Sequence, residues 1–208
     1  MLIKTVVCDE FCCIYLAAIV SDYEPYIESS AINPDSNFFS FNAKRKKEWI
    51  TVRLLLSEVC PGASIAYEQS GKPFLVGTDS TVSISHTSGF VAVMIDSKSR
   101  NIGIDIETNL KDTALRVREK FMSVSELNQN LLHIDPLLHS LLHWTAKEAA
   151  YKAVGSSGDD FSADYSLSDF RCNSDIGFSC LMHYNRKSLV SRVFFSSYSS
   201  FVMAYIIV

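Results

Sequence analysis

One helix-like pattern of apolar residues, followed by several short strand-like segments, restricts the possible folds of this sequence more than any other feature. Between Ala43 and Val59 the apolar residues recur every three or four positions, which predicts an amphipathic helix that ends near a "PG" dipeptide. Short segments bounded by turn residues follow, as consecutive strands would. They read SIAYEQ, GKPFLV, TVSISHTSG, FVAVMI and NIGIDIE. The third and fourth are predicted to form a hairpin, so the sequence indicates an α+β protein with small antiparallel sheets.

The same order of elements recurs in the second half of the chain. A helix-rich region is predicted from about Leu110 to Val154, and strands then close the chain in FSCLMHYN, SRVFFSSY and SFVMAYIIV. The first twenty residues read as two strands before a turn-rich stretch. Each half therefore runs strand, helix, strands, which predicts a pseudo-duplicated, two-lobed fold with halves at residues 1–100 and 101–208. The internal sequence similarity is too weak to prove a repeat.

Composition excludes several classes of protein. The chain has 208 residues, of which 48% are hydrophobic, enough for a globular core. Its formal net charge of −4 gives no indication of nucleic-acid binding, so an anionic partner needs a local basic patch such as KRKK at positions 44–47. The six cysteines form no zinc or thioredoxin-like motif and are predicted to be reduced. No uncharged run reaches the length of a membrane span, so we expect a cytoplasmic protein.

Two acidic residues, Asp105 and Glu107, share one face of the predicted strand NIGIDIE. Side chains alternate along a strand, so the isoleucines point to the other face while the carboxylates lie about 7 Å apart at the backbone. One interpretation is a solvated strand face. The other is a site for a hard cation such as Mg²⁺, because neighbouring carboxylates repel each other unless a metal ion or a basic group lies between them. The strand alone leaves both open.

A polar face is also predicted on the helix LLHWTAKEAAYKAVG. Its aromatic, basic and acidic residues recur at helical spacing and therefore lie on one side. They are Trp144, Lys147, Glu148, Tyr151 and Lys152. The simplest interpretation of Glu148 and Lys152 is an ordinary ion pair on a wet surface. The neighbouring tryptophan favours partial burial instead, where charges must be paired or used in chemistry.

Three further segments carry candidate polar residues. Glu126, in FMSVSE, is a possible third acidic ligand, and Glu119 is its nearest competitor. The segment SISHTSG places Ser85 and His86 at the end of a strand, and GKP supplies Lys72. A lone histidine is more often a structural hydrogen-bonding group, so no single one of these residues identifies a function.

The order of these segments is more informative than any one of them. It runs GKP, SISHTSG, GIDIE, FMSVSE and WTAKEAAYK. In this order the chain resembles the 4′-phosphopantetheinyl transferases, specifically the larger type with two similar halves in one chain, which activates surfactin synthetase and related carrier proteins. The resemblance runs from the basic helix near Lys44 to about Gly155. GIDIE and WTAKEAAYK match the family patterns G-[IV]-D-[IVL]-E and W-[ST]-x-K-E-[AS]-x-x-K without a gap.

The resemblance implies a reaction and a metal. The phosphopantetheine arm of coenzyme A would pass to a serine of an acyl or peptidyl carrier protein, in fatty-acid or secondary metabolism, and adenosine 3′,5′-bisphosphate would be released. Asp105, Glu107 and Glu126 are implied as ligands of Mg²⁺. That ion would neutralise charge on the pyrophosphate.

The helix residues suit the remaining needs of this chemistry. Glu148 is the best candidate for the general base that takes the serine proton, and Lys152 for a positive charge on the phosphates. Lys147 is expected either to contact phosphate or to hold Glu148 in place.

Recognition of coenzyme A and of the carrier follows from the same resemblance. The 3′-phosphate of coenzyme A is assigned to basic residues of the first half. They are Arg53, His86 and a residue of KRKK, for which we take Arg45, with Lys72 and Ser85 nearby. The active site is expected in the cleft between the halves, and a chain that carries both halves is expected to be a monomer. The partner is a small acidic helical carrier domain, with no role for nucleic acid or membrane.

Two other functions remain possible from the sequence. One is a protein of the same fold that binds coenzyme A and transfers nothing, against which the complete set of polar residues argues. The other is an unrelated Mg²⁺-dependent phosphohydrolase, which would not explain SISHTSG and WTAKEAAYK in this order. The chain departs from the family after KAVG, and no motif can be matched beyond Phe161.

Overall fold

The computed structural model describes residues 2–29, 32–108, 112–129, 134–173 and 177–208. By its internal contacts the chain divides into two compact units, Met1–Ser99 and Arg100–Val208. Antiparallel sheets and helices occur in both units, so the prediction of an α+β protein is confirmed. The duplication of one half by the other stays a prediction. Among the described helices, none has both the length and the apolar character needed to cross a membrane.

The first unit contains a four-stranded sheet and a separate two-stranded hairpin. Its strands are β1 (Leu2–Val7), β2 (Cys12–Ala18), β3 (Ser64–Tyr67), β4 (Pro73–Val76), β5 (Thr81–Thr87) and β6 (Phe90–Asp96). Its helices are α1 (Glu24–Glu28) and α2 (Ala43–Val59), with a 3₁₀ turn at Phe38–Ser40. The larger sheet has the order β1-β2-β6-β5, and β3 pairs with β4. The strands predicted for this half are present, and β5 and β6 form the predicted hairpin.

Helix α2 begins and ends at the residues predicted from the sequence. Asn42 caps it, because its side-chain oxygen accepts a hydrogen bond from the Arg45 N–H at 2.9 Å. Its apolar side, which includes Val52 and Leu55, is buried in a cluster with Val91 of β6. This packing anchors the helix, so the basic residues of its first turns occupy a fixed place on the first unit.

The second unit is built on one five-stranded antiparallel sheet. Its strands are β7 (Ile102–Thr108), β8 (Tyr165–Asn173), β9 (Gly177–Tyr184), β10 (Leu189–Ser197) and β11 (Phe201–Ile207), in the order β7-β11-β10-β9-β8. Its helices are α3 (Thr113–Arg116), α4 (Val124–Leu127) and α5 (Pro136–Val154), with 3₁₀ turns at Arg118–Lys120 and Asn185–Lys187. The three strands predicted for the end of the chain are confirmed. Residues 109–111 and 130–133 of the predicted helical region lie outside the described residues.

Strand β8 was not predicted, and its backbone explains why. The pairing of β8 with β9 shifts between Ser168 and Arg171, and Asp169 has a positive φ of 50°. Such a bulge changes which side chains face the core. Before the bulge, the buried residues Tyr165 and Leu167 occupy alternate positions. After it, the next apolar residue is Phe170, three positions later, so the two-residue spacing that predicts a strand is interrupted.

Helix α5 places the predicted polar residues next to β7. Asp135 caps it by accepting hydrogen bonds from the N–H groups of Leu137 (2.9 Å) and Leu138 (3.1 Å), and Pro136 occupies the first turn. The helix packs on β7 and β11. Small residues are buried in its core cluster, namely Ala146, Ala149, Ala150 and Ala153. Short side chains allow a close approach of helix and sheet, so groups on the helix reach groups on the strand.

Candidate functional site

Asp105 is a buried carboxylate in the middle of β7. It lies opposite Ala204 of β11 and is only 6% exposed. Glu107 is half-buried, and its Oε1 accepts a hydrogen bond from the adjacent Thr108 N–H at 2.9 Å. A buried carboxylate requires a partner. The solvated-face interpretation is therefore wrong for Asp105.

Lys152 of α5 is the partner of Asp105. Its Nζ donates to Asp105 Oδ1 at 2.7 Å and to the carbonyl oxygen of Ile104 at 3.0 Å. The Lys152 side chain is 27% exposed, so the pair is only partly shielded from water. The pair joins the two motifs that the sequence singled out, GIDIE on the strand and WTAKEAAYK on the helix.

Glu148 lies one turn before Lys152 and adjoins the same carboxylates. Burial raises the pKa of Glu148, and the negative charge of Asp105 raises it further, to about 7. Lys152 acts in the opposite direction, and Glu107 adds to the upward shift. Three carboxylates therefore share one region with one ammonium, and fully ionised they would sum to −2.

This cluster suits a divalent cation with oxygen ligands. Carboxylate oxygens are the ligands that Mg²⁺ prefers, and Mg²⁺ keeps several waters and takes substrate phosphates in place of a full protein cage. Burial and the neighbouring carboxylates both raise the pKa of Glu148, and such a cation would offset the contribution of the carboxylates. Within the described ranges, no three His, Cys, Asp or Glu side chains already stand in the geometry of a metal site. Asp105 and Glu107 are the predicted ligands that lie in this cluster.

Lys147 is a fully buried residue on the same helix. Its Nζ donates to the carbonyl oxygens of Phe121 (2.8 Å) and Phe161 (2.9 Å) and to Glu126 Oε2 (2.7 Å). An ammonium group has three donors, so all of them are used. Contact between Lys147 and phosphate stays a prediction. The hydrogen bonds favour the other expected role, in which Lys147 holds the helix that carries Glu148.

Glu126 is the buried partner of Lys147. Its Oε2 also accepts from the Ser123 N–H at 2.8 Å, closing a capping box on α4, and its Oε1 accepts from the Leu167 N–H at 2.9 Å. Burial by itself would raise the pKa of Glu126, but His143, 3.4 Å away, and Lys147 lower it to about 2. Its assignment as a metal ligand stays a prediction, and these contacts favour a structural role.

A second polar cluster lies in the first unit, at the start of α2. The Arg45 Nη1 lies 2.6 Å from His86 Nε2, which must be the accepting nitrogen, and 3.3 Å from Glu48 Oε2. His86 Nδ1 is 3.5 Å from the same Glu48 oxygen. Sequence reasoning missed Glu48, a buried carboxylate that contacts both Arg45 and His86. The available signal was its helical spacing, three residues after Arg45 and four after Lys44.

Arg53 points to a different set of partners. Its guanidinium carbon lies 3.3 Å from the centre of the Trp49 ring, and its Nη2 is 3.9 Å from Asp35 Oδ2. The side chain is 12% exposed, and burial lowers the pKa of Arg53. Stacking on an aromatic ring is a structural use of arginine as well as a way to present it. Among the basic residues predicted for the 3′-phosphate, Arg45 is the one in contact with His86.

The two remaining predicted contacts of coenzyme A differ in exposure. Lys72 is exposed in the turn before β4, where its backbone bonds Ser70 and Glu68. Ser85 is 5% exposed and precedes His86 on β5, so the two side chains point to opposite faces of the strand. The prediction that Ser85 acts beside His86 therefore has no support from the strand geometry.

Comparison with known families identifies the second half of the chain. The model of the 4′-phosphopantetheinyl transferase superfamily matches residues 101–206, just over half of the chain. The matched range includes β7, α4, α5 and the carboxylate cluster. No curated protein matches the chain.

Proposed function

Because the chain belongs to the 4′-phosphopantetheinyl transferase superfamily, we propose that it transfers the phosphopantetheine arm of coenzyme A to a serine of an acyl or peptidyl carrier protein. The serine oxygen forms a new bond to the phosphorus that bears the pantetheine arm. The bond from that phosphorus to the bridging pyrophosphate oxygen breaks, and adenosine 3′,5′-bisphosphate leaves. The serine proton goes to a base. The reaction therefore needs a base, positive charge on the phosphates and a fixed substrate.

One observation carries this proposal: the meeting of Asp105, Glu148 and Lys152 where β7 and α5 pack together. Lys152 is hydrogen-bonded to Asp105, and burial together with the negative charge of Asp105 brings the pKa of Glu148 to about 7. The residues come from the two sequence blocks that most resemble the family. A chance surface ion pair would not need a buried aspartate on the strand and a partly buried glutamate on the helix.

We assign the metal to the strand side of this cluster. Asp105 and Glu107 would hold Mg²⁺, with water and phosphate oxygens as its remaining ligands. When bound, Mg²⁺ supplies positive charge to the pyrophosphate oxygens. Lys152 keeps Asp105 oriented and adds a second positive charge beside the phosphates.

Glu148 is assigned as the general base. A base works best when its pKa is near the working pH, and burial beside Asp105 places the pKa of Glu148 at about 7. Lys147 and Glu126 are assigned as positioning residues, because each is already fully hydrogen-bonded inside the second unit.

The first unit offers a place for the 3′-phosphate of coenzyme A. Arg45 and His86 are in contact, partly exposed and held by Glu48, so their donors could turn together toward a phosphate. Arg53 supports this region through Trp49. We rank Arg45 and His86 above Arg53, Lys72 and Ser85 as direct contacts.

Three finer statements are part of the proposal. The chain is proposed to be of the larger type with two similar halves, which resembles the activators of surfactin synthetase. It is proposed to act as a monomer in the cytoplasm. Its carrier belongs to fatty-acid synthesis or to secondary metabolism, and the carriers of the test below separate the two.

Intact-mass spectrometry of apo carrier proteins tests the proposal. A fatty-acid carrier and a peptide-synthetase carrier are each incubated with this protein, coenzyme A and Mg²⁺. We expect one carrier to gain a single phosphopantetheine mass, with no gain when EDTA is present or when the acceptor serine of the carrier is changed to alanine. Absence of transfer to both, together with measurable coenzyme A binding, would favour the non-catalytic coenzyme A-binding protein.

A further inference from the structure

We infer that Gly103 is a positioning residue for the carboxylate cluster, because its missing side chain sets the distance between β7 and α5. Gly103 is the glycine of GIDIE and lies opposite Ile206 of β11. A Cβ built on it would lie 1.8 Å from the carbonyl oxygen of Ala149, 2.9 Å from the carbonyl carbon of Ala149 and 3.0 Å from the Ala153 nitrogen. Real Cβ atoms do not approach other atoms this closely, so any other residue at this position requires movement.

The atoms that Gly103 touches belong to the backbone of α5. A clash with the end of a flexible side chain can be relieved by a change of rotamer, but a clash with backbone atoms requires the helix or the strand to shift. Ala149 and Ala153 are both buried, and neither can shorten further except to glycine. The contact therefore transmits any added volume at position 103 directly to α5.

The same face of β7 carries the acidic residues. Side chains alternate along a strand, so positions 103, 105 and 107 face one way. Gly103 meets α5 at Ala149 and Ala153, and Asp105 meets it at Lys152. Helix and strand therefore meet backbone to backbone at the glycine, and the two carboxylates follow on the same side of the strand.

The hydrogen bonds of Lys152 show how much depends on that distance. Its Nζ bonds both Asp105 Oδ1 (2.7 Å) and the Ile104 carbonyl oxygen (3.0 Å), an arrangement that reaches backbone atoms of the strand itself. Displacing α5 by even one ångström would lengthen both bonds beyond ordinary hydrogen-bond distance. Glu148, one turn away on the same helix, would move away from Asp105 at the same time.

The inference rests on the proposed function only for its effect on transfer. The arrangement of groups that would take a divalent cation is a property of the second unit and can be measured without coenzyme A. The full chain is titrated with Mn²⁺ alone, as a paramagnetic substitute for Mg²⁺, and free Mn²⁺ is followed by electron paramagnetic resonance. Thermal unfolding and the mass-spectrometric transfer assay are run on the same samples.

The test variant is Gly103→Ala and the matched control is Ile106→Val. Ile106 is a buried residue on the other face of β7, so its shortening disturbs the core without adding volume toward α5. We expect Gly103→Ala to lower the affinity for Mn²⁺ at least tenfold at a temperature where it is folded. Ile106→Val should keep the affinity of the unchanged chain even if its melting temperature falls. Equal affinities for all three proteins, or equal losses in both variants, would overturn the inference.

A second variant decides the case in which Gly103→Ala does not fold. Ala149→Ser adds one atom to the buried helix residue whose backbone meets Gly103, and it should weaken Mn²⁺ binding in the same direction. Unchanged binding by folded Ala149→Ser would then overturn the inference. If the unchanged chain transfers nothing but the Mn²⁺ pattern is as expected, the positioning role stands and the proposed function fails. If the unchanged chain transfers phosphopantetheine and Gly103→Ala binds Mn²⁺ normally, the proposed function stands and the positioning role of Gly103 fails.

Discussion

Two lysines of α5 each form an ion pair with a carboxylate on another element, at the same nitrogen–oxygen distance but in different surroundings. Lys147 bonds Glu126 and Lys152 bonds Asp105, both at 2.7 Å. The side chains of the first pair are 0% and 1% exposed, whereas those of the second are 27% and 9% exposed. The first pair is enclosed by protein, and the second is open to water on one side. Distance alone therefore does not separate an enclosed ion pair from a partly exposed one.

The other partners of each pair explain the difference. The donors and acceptors of Lys147 and Glu126 are completed by backbone groups of Phe121, Phe161 and Leu167. All three donors of the Lys147 ammonium are therefore used within the second unit. The Asp105 pair instead adjoins Glu148, whose pKa is raised by burial and by Asp105. The hydrogen bonds of the first pair stabilise the fold, and the carboxylates around the second pair are the ones proposed to hold a cation.

The largest expected effect separates the two pairs by stability. Lys147→Met leaves the Glu126 carboxylate buried without its counterion, which should cost about 3–5 kcal/mol in the free energy of unfolding. Lys152→Met, the matched control on the same helix, should cost less, because the Lys152 side chain is 27% exposed whereas that of Lys147 is fully buried. Urea unfolding measures both.

A second substitution tests whether the unpaired Glu126 charge causes the loss of stability in Lys147→Met. The double variant Lys147→Met with Glu126→Gln removes both charges and should recover part of the lost stability. A Lys147→Met protein that is as stable as the unchanged chain and has lost coenzyme A binding would show instead that Lys147 contacts the substrate.

The second prediction removes the strand carboxylate. Asp105→Ala should lower the rate of transfer about 1,000-fold at saturating Mg²⁺, because it deletes a metal ligand and frees Lys152. Far-ultraviolet circular dichroism should be unchanged. The rate is measured from the mass of the carrier at timed intervals. Turnover near that of the unchanged chain would remove Asp105 from the site.

The third prediction concerns the proposed base. Glu148→Gln keeps the size of the side chain and removes its ability to accept a proton, so the rate should fall about 100-fold. The dissociation constant of coenzyme A, measured by calorimetry, should change much less. Equal losses in rate and in binding would argue that Glu148 positions the substrate.

The smallest expected effect is on the pH dependence of stability, to which Glu126 and Glu148 contribute in opposite directions. The pKa of Glu126 is lowered to about 2, so its contribution to stability is present above the unfolded value of about 4.5 and is lost as the pH falls toward 2. The pKa of Glu148 is raised to about 7, so its contribution is present below about 4.5 and is lost as the pH rises through 7.

Urea unfolding between pH 4 and pH 8 in metal-free buffer measures this dependence. Glu148→Gln should remove a fall in stability on the order of 1–2 kcal/mol over that range, and saturating Mg²⁺ should do the same by compensating the charge. If Glu148→Gln has the same dependence of unfolding free energy on pH as the unchanged chain, the raised pKa of Glu148 beside Asp105 is contradicted.

Much of the fold could be predicted from the sequence, because local patterns decide local structure. Helix α2 has its predicted bounds, and the strands on either side of "SG" pair as expected. Strand β8 was missed, because the bulge at Asp169 interrupts the two-residue period on which the prediction depends. That bulge depends on pairing with β9, which no local pattern encodes.

The sequence predicted which residues belong to the candidate site better than it predicted what each residue does there. Asp105, Glu107, Glu148 and Lys152 were named from two motifs, and α5 brings the last two to the strand that carries the first two. Glu48 was overlooked, because its role depends on the position of His86, 38 residues further along the chain.

The sequence by itself determined which residues are available and that a strand and a helix carry them, since spacing decides which side chains share a face. Only the tertiary structure decided what each charge does. Lys147 and Lys152 belong to one motif, but the first is enclosed by Phe161 and Glu126 and the second reaches Asp105. The physical reason is that the energy of a charge depends on its hydration and partners, and both are set by residues distant in the chain.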